Sequence, residues 1–161
     1  MADSFEILDA ATVVADAITT ATGRECIVTG ARTLDLPAPS FLGLQPLSVR
    51  RNKIDRRGIQ IDYAFEVYYI AETTATTVTD TVLAQIEDHF FSDPRVVGQV
   101  GGNDVQVVFQ KMVYSSETNI INGGILEGYY SATDLDERSD QVQAAMIYFS
   151  AWYEVNNGGQ S

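Results

Sequence analysis

The stretch IQIDYAFEVYYIAE, residues 59–72, is the longest run in this chain in which side chains alternate with a strict period of two. One face carries the acids Asp62, Glu66 and Glu72. The other face carries Ile59, Ile61, Tyr63, Phe65, Val67, Tyr69 and Ala71. This pattern is typical of a half-buried β-strand. At ~3.3 Å per residue the run spans roughly 46 Å, so we expect the strand to bend, or to project in part toward a neighbour.

The length of the chain, 161 residues, favours one domain over residues 1–155, followed by a polar tail over 156–161. At this size roughly 68–70% of the unfolded surface can be buried, so a core needs no metal or disulfide. Cys26 is the only cysteine and is interpreted as a small buried hydrophobe. The first residues lack a basic region ahead of an apolar one, and no apolar run is long enough to cross a bilayer.

Charge is distributed unevenly along the chain. The net charge is −12, which argues against a protein whose whole surface binds nucleic acid. Half of the ten basic residues lie within positions 50–57, where Asp55 is the only acid, so this segment carries +4 and the remainder −16. These five basic residues are Arg50, Arg51, Lys53, Arg56 and Arg57.

The first quarter of the chain predicts a helix, a short strand and a proline-rich connection. Asp3 and Glu6 have the spacing of a capping box, and Gly23 is a plausible residue to end the helix. The apolar stripe expected to pack the helix is Leu8, Val14 and Ile18. Cys26 to Val28 form a short apolar run, and residues 34–46 hold three of the four prolines. Proline lacks an amide hydrogen, so 34–46 is predicted to be an extended loop or edge segment.

Residues 47–54, the turn at 55–58 and the long strand together predict a β-hairpin. Gly58 can adopt the positive φ that such turns often need. The five basic residues then lie at or near the tip of the hairpin. Two interpretations remain open: an ordinary solvated turn, or an electrostatic contact with an acidic surface. In an acidic chain that surface can belong to an identical subunit.

The second half of the chain predicts one more helix and several strands. Thr77 and Asp80 have capping-box spacing ahead of a helix that Ser92-Asp93-Pro94 ends. Strands are predicted over 96–100 and 105–114 around a turn at 101–104, with a face made of Val105, Val107, Phe109 and Val113.

Residues 115–124 are predicted to form a loop and 125–131 a short strand. The last strand, over 141–155, has apolar residues on both faces, which favours a central strand or one that packs on another chain. The sequence therefore predicts an α+β fold: one domain with a mostly antiparallel or mixed sheet, two amphipathic helices packed on it, and a long β-hairpin.

The sequence offers little chemistry for catalysis. The acidic segment 134–140 could bind a divalent cation, but it lacks the glycine and glutamate of an EF-hand loop, so a solvated acidic loop is favoured. The phosphate-binding GxxxxGK[ST], zinc-binding HExxH, paired CxxC and nucleophile GxSxG motifs are absent. His89 is the only histidine and is predicted to have a structural role near the end of its helix. We therefore expect no catalytic residue, no metal site and no cofactor.

The order of the predicted elements, the length and the acidic composition resemble those of the tail terminator, or tail completion, proteins of long-tailed bacteriophages and related prophage or gene-transfer particles. The resemblance covers nearly the whole chain, but the family has no short motif that would transfer the role of a single residue. It implies a virion protein that forms a ring, usually of six subunits, on the head-proximal end of the tail tube. Such a ring ends tube polymerisation and presents a docking surface to the head-side connector.

A ring of this kind needs a contact between copies and an opening for DNA. The basic hairpin and the acidic body of the next copy can attract each other head to tail, and such a contact closes when the rotation allows. The candidate contact residues are the five basic ones. The expected partners are further copies of this chain, the tail tube protein and the connector or head-closure protein, with no membrane. Genomic DNA is expected to pass through an acidic lumen without sequence-specific binding.

Two other classes of protein stay open at this point. One is a different neck component, either a head-closure or a head-tail joining protein. The other is a small hydrolase or ligand-binding domain, which would require a deep pocket lined by converging carboxylates.

Overall fold

The computed structural model describes residues 4–28, 41–54, 56–70, 76–114 and 142–154. Two helices and six strands follow one another along the chain. They are α1 (Ile7–Thr22), β1 (Cys26–Val28), β2 (Phe41–Lys53), β3 (Gly58–Ile70), α2 (Thr76–Ser92), β4 (Arg95–Val100), β5 (Asn103–Tyr114) and β6 (Val142–Glu154). The α+β prediction is confirmed. The expected loop at 115–124, strand at 125–131, acidic loop at 134–140 and tail at 156–161 lie outside the described residues.

The six strands form one mixed sheet in the order β1-β2-β3-β6-β5-β4. β1 pairs with β2 in parallel, and the other four pairings are antiparallel. The central strand β3 contains the quoted stretch up to Ile70, and its apolar face is buried at Ile61, Tyr63, Phe65, Val67 and Tyr69. The expected projection of this strand is wrong for the described residues. From Gly58 to Ile70 every residue of β3 is paired with β6, and β2 follows β3 on the other side.

Both helices pack on the same face of the sheet, here called the helix face. α1 contacts β1 and β2 at one end of the strand order and β4 and β5 at the other end, so the sheet curls around it. α2 contacts β3, β5 and β6. Its Phe90 lies 5.5 Å from Phe109 and 5.2 Å from Phe149 between ring centroids. These three buried rings, here called the aromatic cluster, join α2 to the middle of the sheet.

α1 is buried on most of its circumference, which the sequence pattern did not show. The buried residues are Ala10, Ala11, Val13, Val14, Ala15 and Ile18. Leu8 is 60% exposed, so its predicted place in the packing stripe is wrong. The small alanines let strands approach the helix from two sides. The exposed residues of α1 are therefore confined to one narrow stripe of positions four residues apart, including Leu8, Thr12 and Asp16.

The predicted ends of the helices are partly confirmed. Gly23 ends α1 with φ +70°, and its N–H donates to the Thr19 carbonyl at 2.9 Å. Glu6 itself precedes the first turn and makes no side-chain cap, so it does not take the place inside the helix that the predicted capping box gave it, and Asp3 lies outside the described residues. α2 begins at Thr76, which places Thr77 inside the helix and not at its cap. The helix ends at Ser92 as predicted.

Two bulges explain where the predicted strand patterns are wrong. In β5 the register shifts between Phe109 and Lys111, so Met112 is buried and Val113 is 48% exposed. In β2 the register shifts between Pro46 and Ser48. Residues 41–46 belong to β2, so of the two predicted alternatives for 34–46, an extended loop or an edge segment, the loop is wrong for 41–46, and 34–40 lie outside the described residues. Among the described residues, β1 pairs with β2 only at 42–44, so the missing amide hydrogen of Pro46 interrupts no described ladder on that side.

Candidate functional site

The β2–β3 hairpin brings the five predicted basic residues to one end of the sheet. Arg50 pairs with Asp62, Arg51 with Ile61, and Lys53 with Ile59 in the strand register. The turn is closed by the N–H of Ile54, which donates to the Gly58 carbonyl at 3.1 Å. Arg56 and Arg57 lie in this turn and are exposed. We call the end of the sheet formed by residues 50–54, 56–59 and 150–154 the basic end.

Arg50 and Arg51 point to opposite faces of the sheet because consecutive strand residues alternate. Arg51 lies on the helix face, where its positive charge acts on the buried Tyr63. Burial raises the pKa of Tyr63 to about 12, and Arg51 lowers it in part. The Tyr63 hydroxyl donates to the Phe5 carbonyl at 2.8 Å. The phenol is therefore a fixed hydrogen-bond donor and not a proton carrier near neutral pH.

The face without helices, here called the outer face, carries a polar group next to Arg50. The carboxylate of Asp62 accepts from the Asn52 amide at 2.7 Å and from the Gln60 amide at 2.8 Å. The bond from Asn52 ties β2 to β3 across the hairpin, whereas the bond from Gln60 lies within β3. Arg50, which pairs with Asp62 in the strand register, is exposed.

β6 adds two aromatic side chains to the basic end. Trp152 is 51% exposed, and its ring lies so close over Gly58 that a Cβ at residue 58 would collide with it. Tyr153 is 41% exposed and packs edge-on against Phe5, with ring centroids 5.0 Å apart. Sequence reasoning placed both in the last strand but not beside the arginines. Tryptophan, tyrosine and arginine are the residues most enriched where proteins bind each other tightly.

A cleft of about 520 Å³ lies beside Trp152, where β5 and β6 separate. The two strands pair only from Val108 and Ser150 onward. Ser4 donates its N–H to the Asp104 carbonyl at 2.8 Å across the opening. The other polar lining side chains include Gln60 and Gln106. Among the described residues, Asp104 is the only acid that lines the cleft, so they do not supply the pair of carboxylates that acid–base hydrolysis requires.

The described part of the chain contains no group of three or more metal-ligating side chains. Cys26 is buried, and burial, together with the charge of Asp16, raises its pKa to about 12, so the thiol is not a nucleophile near neutral pH. The His89 ring packs against Phe90 with centroids 5.1 Å apart, in the last turn of α2. None of the described helices has the length and apolar character needed to span a bilayer.

Comparison with known proteins gives a structural match and no sequence match. No family model matches the chain, and no curated protein matches it. Among solved structures the fold is similar to that of a sheath/tube terminator from an extracellular contractile injection system (PVC), seen in its extended state. The TM-score is 0.50 at 10% identity, and the match covers 99% of this chain. This chain spans 60% of that terminator's length. The likeness shows that the two share a fold.

Proposed function

We propose that this protein is a structural subunit of a tail terminator, which assembles as a ring on the end of a tail tube and stops its growth. One observation supports this most strongly: nearly the whole chain has the fold of a sheath/tube terminator. The order of elements along the sequence independently resembles the same class of protein. The finer proposal is a bacteriophage virion protein that forms a hexamer and joins the tail to the head-side connector.

The described residues favour assembly over catalysis as the mode of action. Among the described residues, three titratable groups have a raised pKa, and they do not share a site: Cys26 lies on β1, Tyr63 on the helix face of β3 and Glu66 on its outer face. By contrast, exposed aromatic and basic side chains gather at the basic end. A subunit that acts by contact alone needs this second kind of surface and not the first.

The electrostatics of the chain suggest how copies contact each other. The segment 50–57 carries +4, while the rest of the chain carries −16. In the proposed ring the basic end of one subunit meets acidic residues of the next, and repetition of this head-to-tail contact closes the ring. The predominantly negative body leaves a lumen that repels DNA, so the genome passes without adhering.

The proposal is tested by adding the purified chain to a polymerising tube protein from the same particle. We expect rings with a central hole in electron micrographs, rings at one end of each tube, and tubes that stop growing once they are capped. Tubes that elongate at an unchanged rate, with this chain bound to neither end, would exclude the terminator role. Bovine serum albumin at the same concentration controls for non-specific slowing of polymerisation.

A further inference from the structure

The sheet is split between β5 and β6 where it approaches the basic end. The two strands stop pairing with each other there, although β5 stays paired with β4 and β6 stays paired with β3. If the β5–β6 ladder continued in register beyond Val108 and Ser150, Gln106 would pair with Trp152. Within the described ranges these two residues instead line the cleft of about 520 Å³, one from each strand.

Backbone hydrogen bonds show which residues of β5 direct their polar groups into the cleft. The N–H of Phe109 donates to the Pro94 carbonyl at 2.7 Å, on the side of β4. Neighbouring residues of a strand direct their N–H and C=O to opposite sides, so those of Gln106, three positions earlier, point toward β6. The Asp104 carbonyl points the same way, and Ser4 donates to it at 2.8 Å.

The same alternation gives the direction of the backbone on β6. The Gly58 carbonyl accepts from Ile54, on the side of β2. Ile61, three positions further along β3, therefore directs its backbone to β6, where its partner is Ala151. Trp152, the next residue, directs its N–H and C=O into the cleft. Both walls of the cleft thus carry backbone donors and acceptors that no pairing between described strands uses.

This arrangement fits an extended polypeptide segment. A strand between β5 and β6 would bond to both walls, antiparallel to one and parallel to the other, because β5 and β6 run in opposite directions. A strand residue takes up roughly 160 Å³, from ~3.3 Å of rise and spacings of ~4.8 Å and ~10 Å, so the cleft has room for about three residues. The segment that leads into α1 already binds here in this manner, through the N–H of Ser4.

The lining of the cleft indicates which side chains the segment carries. Toward the helix face the lining is apolar and includes Phe5, Val105 and Ala151. Toward the outer face it is polar and includes Gln60, Gln106 and Ser150. Successive residues of a strand point to opposite faces, so the segment alternates apolar with polar side chains.

We infer that this cleft binds an extended segment of the tail tube protein, which inserts as a strand between β5 and β6. Because the partner is the end of a tube, the inference rests on the proposed function. A second copy of this chain is a poorer donor, since each of its described strands is already paired in its own sheet. The cleft opens beside Trp152, so the tube segment would be held at the end of the sheet where exposed aromatic and basic residues gather.

Replacing one backbone N–H tests the insertion. Gln106→Pro removes a donor that faces the cleft and interrupts no bond to β4, because Gln106 directs its backbone away from that strand. Gln106→Ala is the matched control, since both variants lose the side-chain bond from Arg95 and only proline loses the N–H. We expect Gln106→Pro to bind preformed tubes about tenfold more weakly than Gln106→Ala in cosedimentation, as for one lost backbone hydrogen bond. Equal affinities would overturn the inference.

Hydrogen exchange on the unaltered protein gives a second readout that needs no variant. When the protein binds tubes, amide exchange over 103–108 and 150–154 is expected to slow by about tenfold or more, because an inserted strand closes these amides. Exchange over 109–113, where β5 is already paired with β6, is the internal reference. Unchanged exchange over 150–154 on tubes would overturn the inference.

A photocrosslinker identifies the occupant of the cleft. Gln106→Cys labelled with benzophenone maleimide is expected to crosslink to the tube protein. Lys111→Cys is the control, because Lys111 is exposed on the same strand where β5 pairs with β6. Cys26 stays unlabelled because it is buried with a pKa of about 12. Crosslinks from Gln106→Cys only to another copy of this chain, or equal crosslinks from both variants, would overturn the inference.

The outcomes separate strand insertion from the proposed function. Tubes that Gln106→Pro caps as well as Gln106→Ala does, with unchanged exchange on the unaltered protein, would exclude insertion and leave the terminator role standing. Protection and crosslinks at the cleft, with tubes that go on growing, would establish insertion and exclude the terminator role. Thermal unfolding of each variant shows whether weaker binding reflects a lost fold, and the exchange measurement then decides.

Discussion

The aromatic cluster and the basic end lie on the same sheet and are built for different purposes. Phe90, Phe109 and Phe149 are at most 6% exposed and contact one another across α2, β5 and β6. At the basic end, Ile54 and Trp152 are more than half exposed. The aromatic cluster is buried, so it stabilises the fold and offers no surface to a partner. The basic end exposes side chains that a partner can contact, and it contributes less to the stability of the fold. Mutations in the two regions should therefore separate stability from assembly.

The largest loss of stability is expected from Phe149→Ala. Phe149 contacts Phe65, Phe90 and Phe109, and truncation of such a ring leaves a cavity. We expect the free energy of unfolding in urea to fall by about 3–5 kcal/mol. Phe91→Ala is the control, because Phe91 is 64% exposed although it touches Phe109. Equal losses for the two variants would contradict the assignment of the core.

The next largest effect is expected on assembly. Arg56→Glu combined with Arg57→Glu should weaken association of subunits by roughly thirtyfold or more, about 2 kcal/mol, because two attractive contacts become repulsive. The unfolding free energy of the monomer should change by less than about 0.5 kcal/mol, as for other surface positions. Sedimentation velocity measures the first quantity and urea denaturation the second.

The matched control is Arg24→Glu combined with Lys111→Glu, which alters the net charge equally. Arg24 lies over the Tyr69 ring at 5.3 Å and Lys111 over the Tyr148 ring at 4.9 Å, both away from the hairpin turn. If the control weakens association as much as the hairpin variant, net charge and not the basic end controls assembly.

Two glycines compare the packing of a buried part of the β2–β3 pair with that of the basic end. A Cβ at Gly43 would collide with the Tyr68 ring, which is fully buried, and a Cβ at Gly58 would collide with the half-exposed Trp152. Gly43→Ala should cost about 1–3 kcal/mol, because the tyrosine ring has no room to move. Gly58→Ala should cost less, because the indole can move into solvent, and the fluorescence of this single tryptophan should shift to the red. If thermal unfolding shows a larger loss of stability for Gly58→Ala than for Gly43→Ala, the packing around Gly58 is the less adaptable of the two.

The smallest expected effect concerns Glu66 on the outer face of β3, where partial burial raises the pKa of the carboxyl. The folded state then binds the proton more tightly than the unfolded state, so stability falls as pH rises through this raised pKa. Glu66→Gln should therefore stabilise the protein slightly at neutral pH, and the gain should vanish in acid. Melting temperatures of the two proteins across pH 3–8 measure this gain in stability. If the gain persists in acid, it does not come from removal of the Glu66 charge.

Period-two alternation in the sequence was enough to place β3 and to put the basic residues on a hairpin. It could not reveal that Trp152 lies over Gly58, because that contact joins residues far apart in the chain through the β3–β6 pairing. The bulge after Phe109 reversed the predicted burial of Val113, since one extra residue changes which face every later side chain occupies. The predicted burial of Leu8 was wrong because the periodicity of a helix does not show how many strands and helices surround it.

Residues 4 and 5, which lead into α1, connect three strands that are distant in sequence. Ser4 is bonded to β5 through Asp104, while Phe5 accepts from Tyr63 of β3 and packs on Tyr153 of β6. Tension applied to this leading segment would be transmitted to all three strands at once, close to the opening between β5 and β6. The segment is thus a mechanical link, through which a load on the start of the chain would change the shape of the end that carries the arginines.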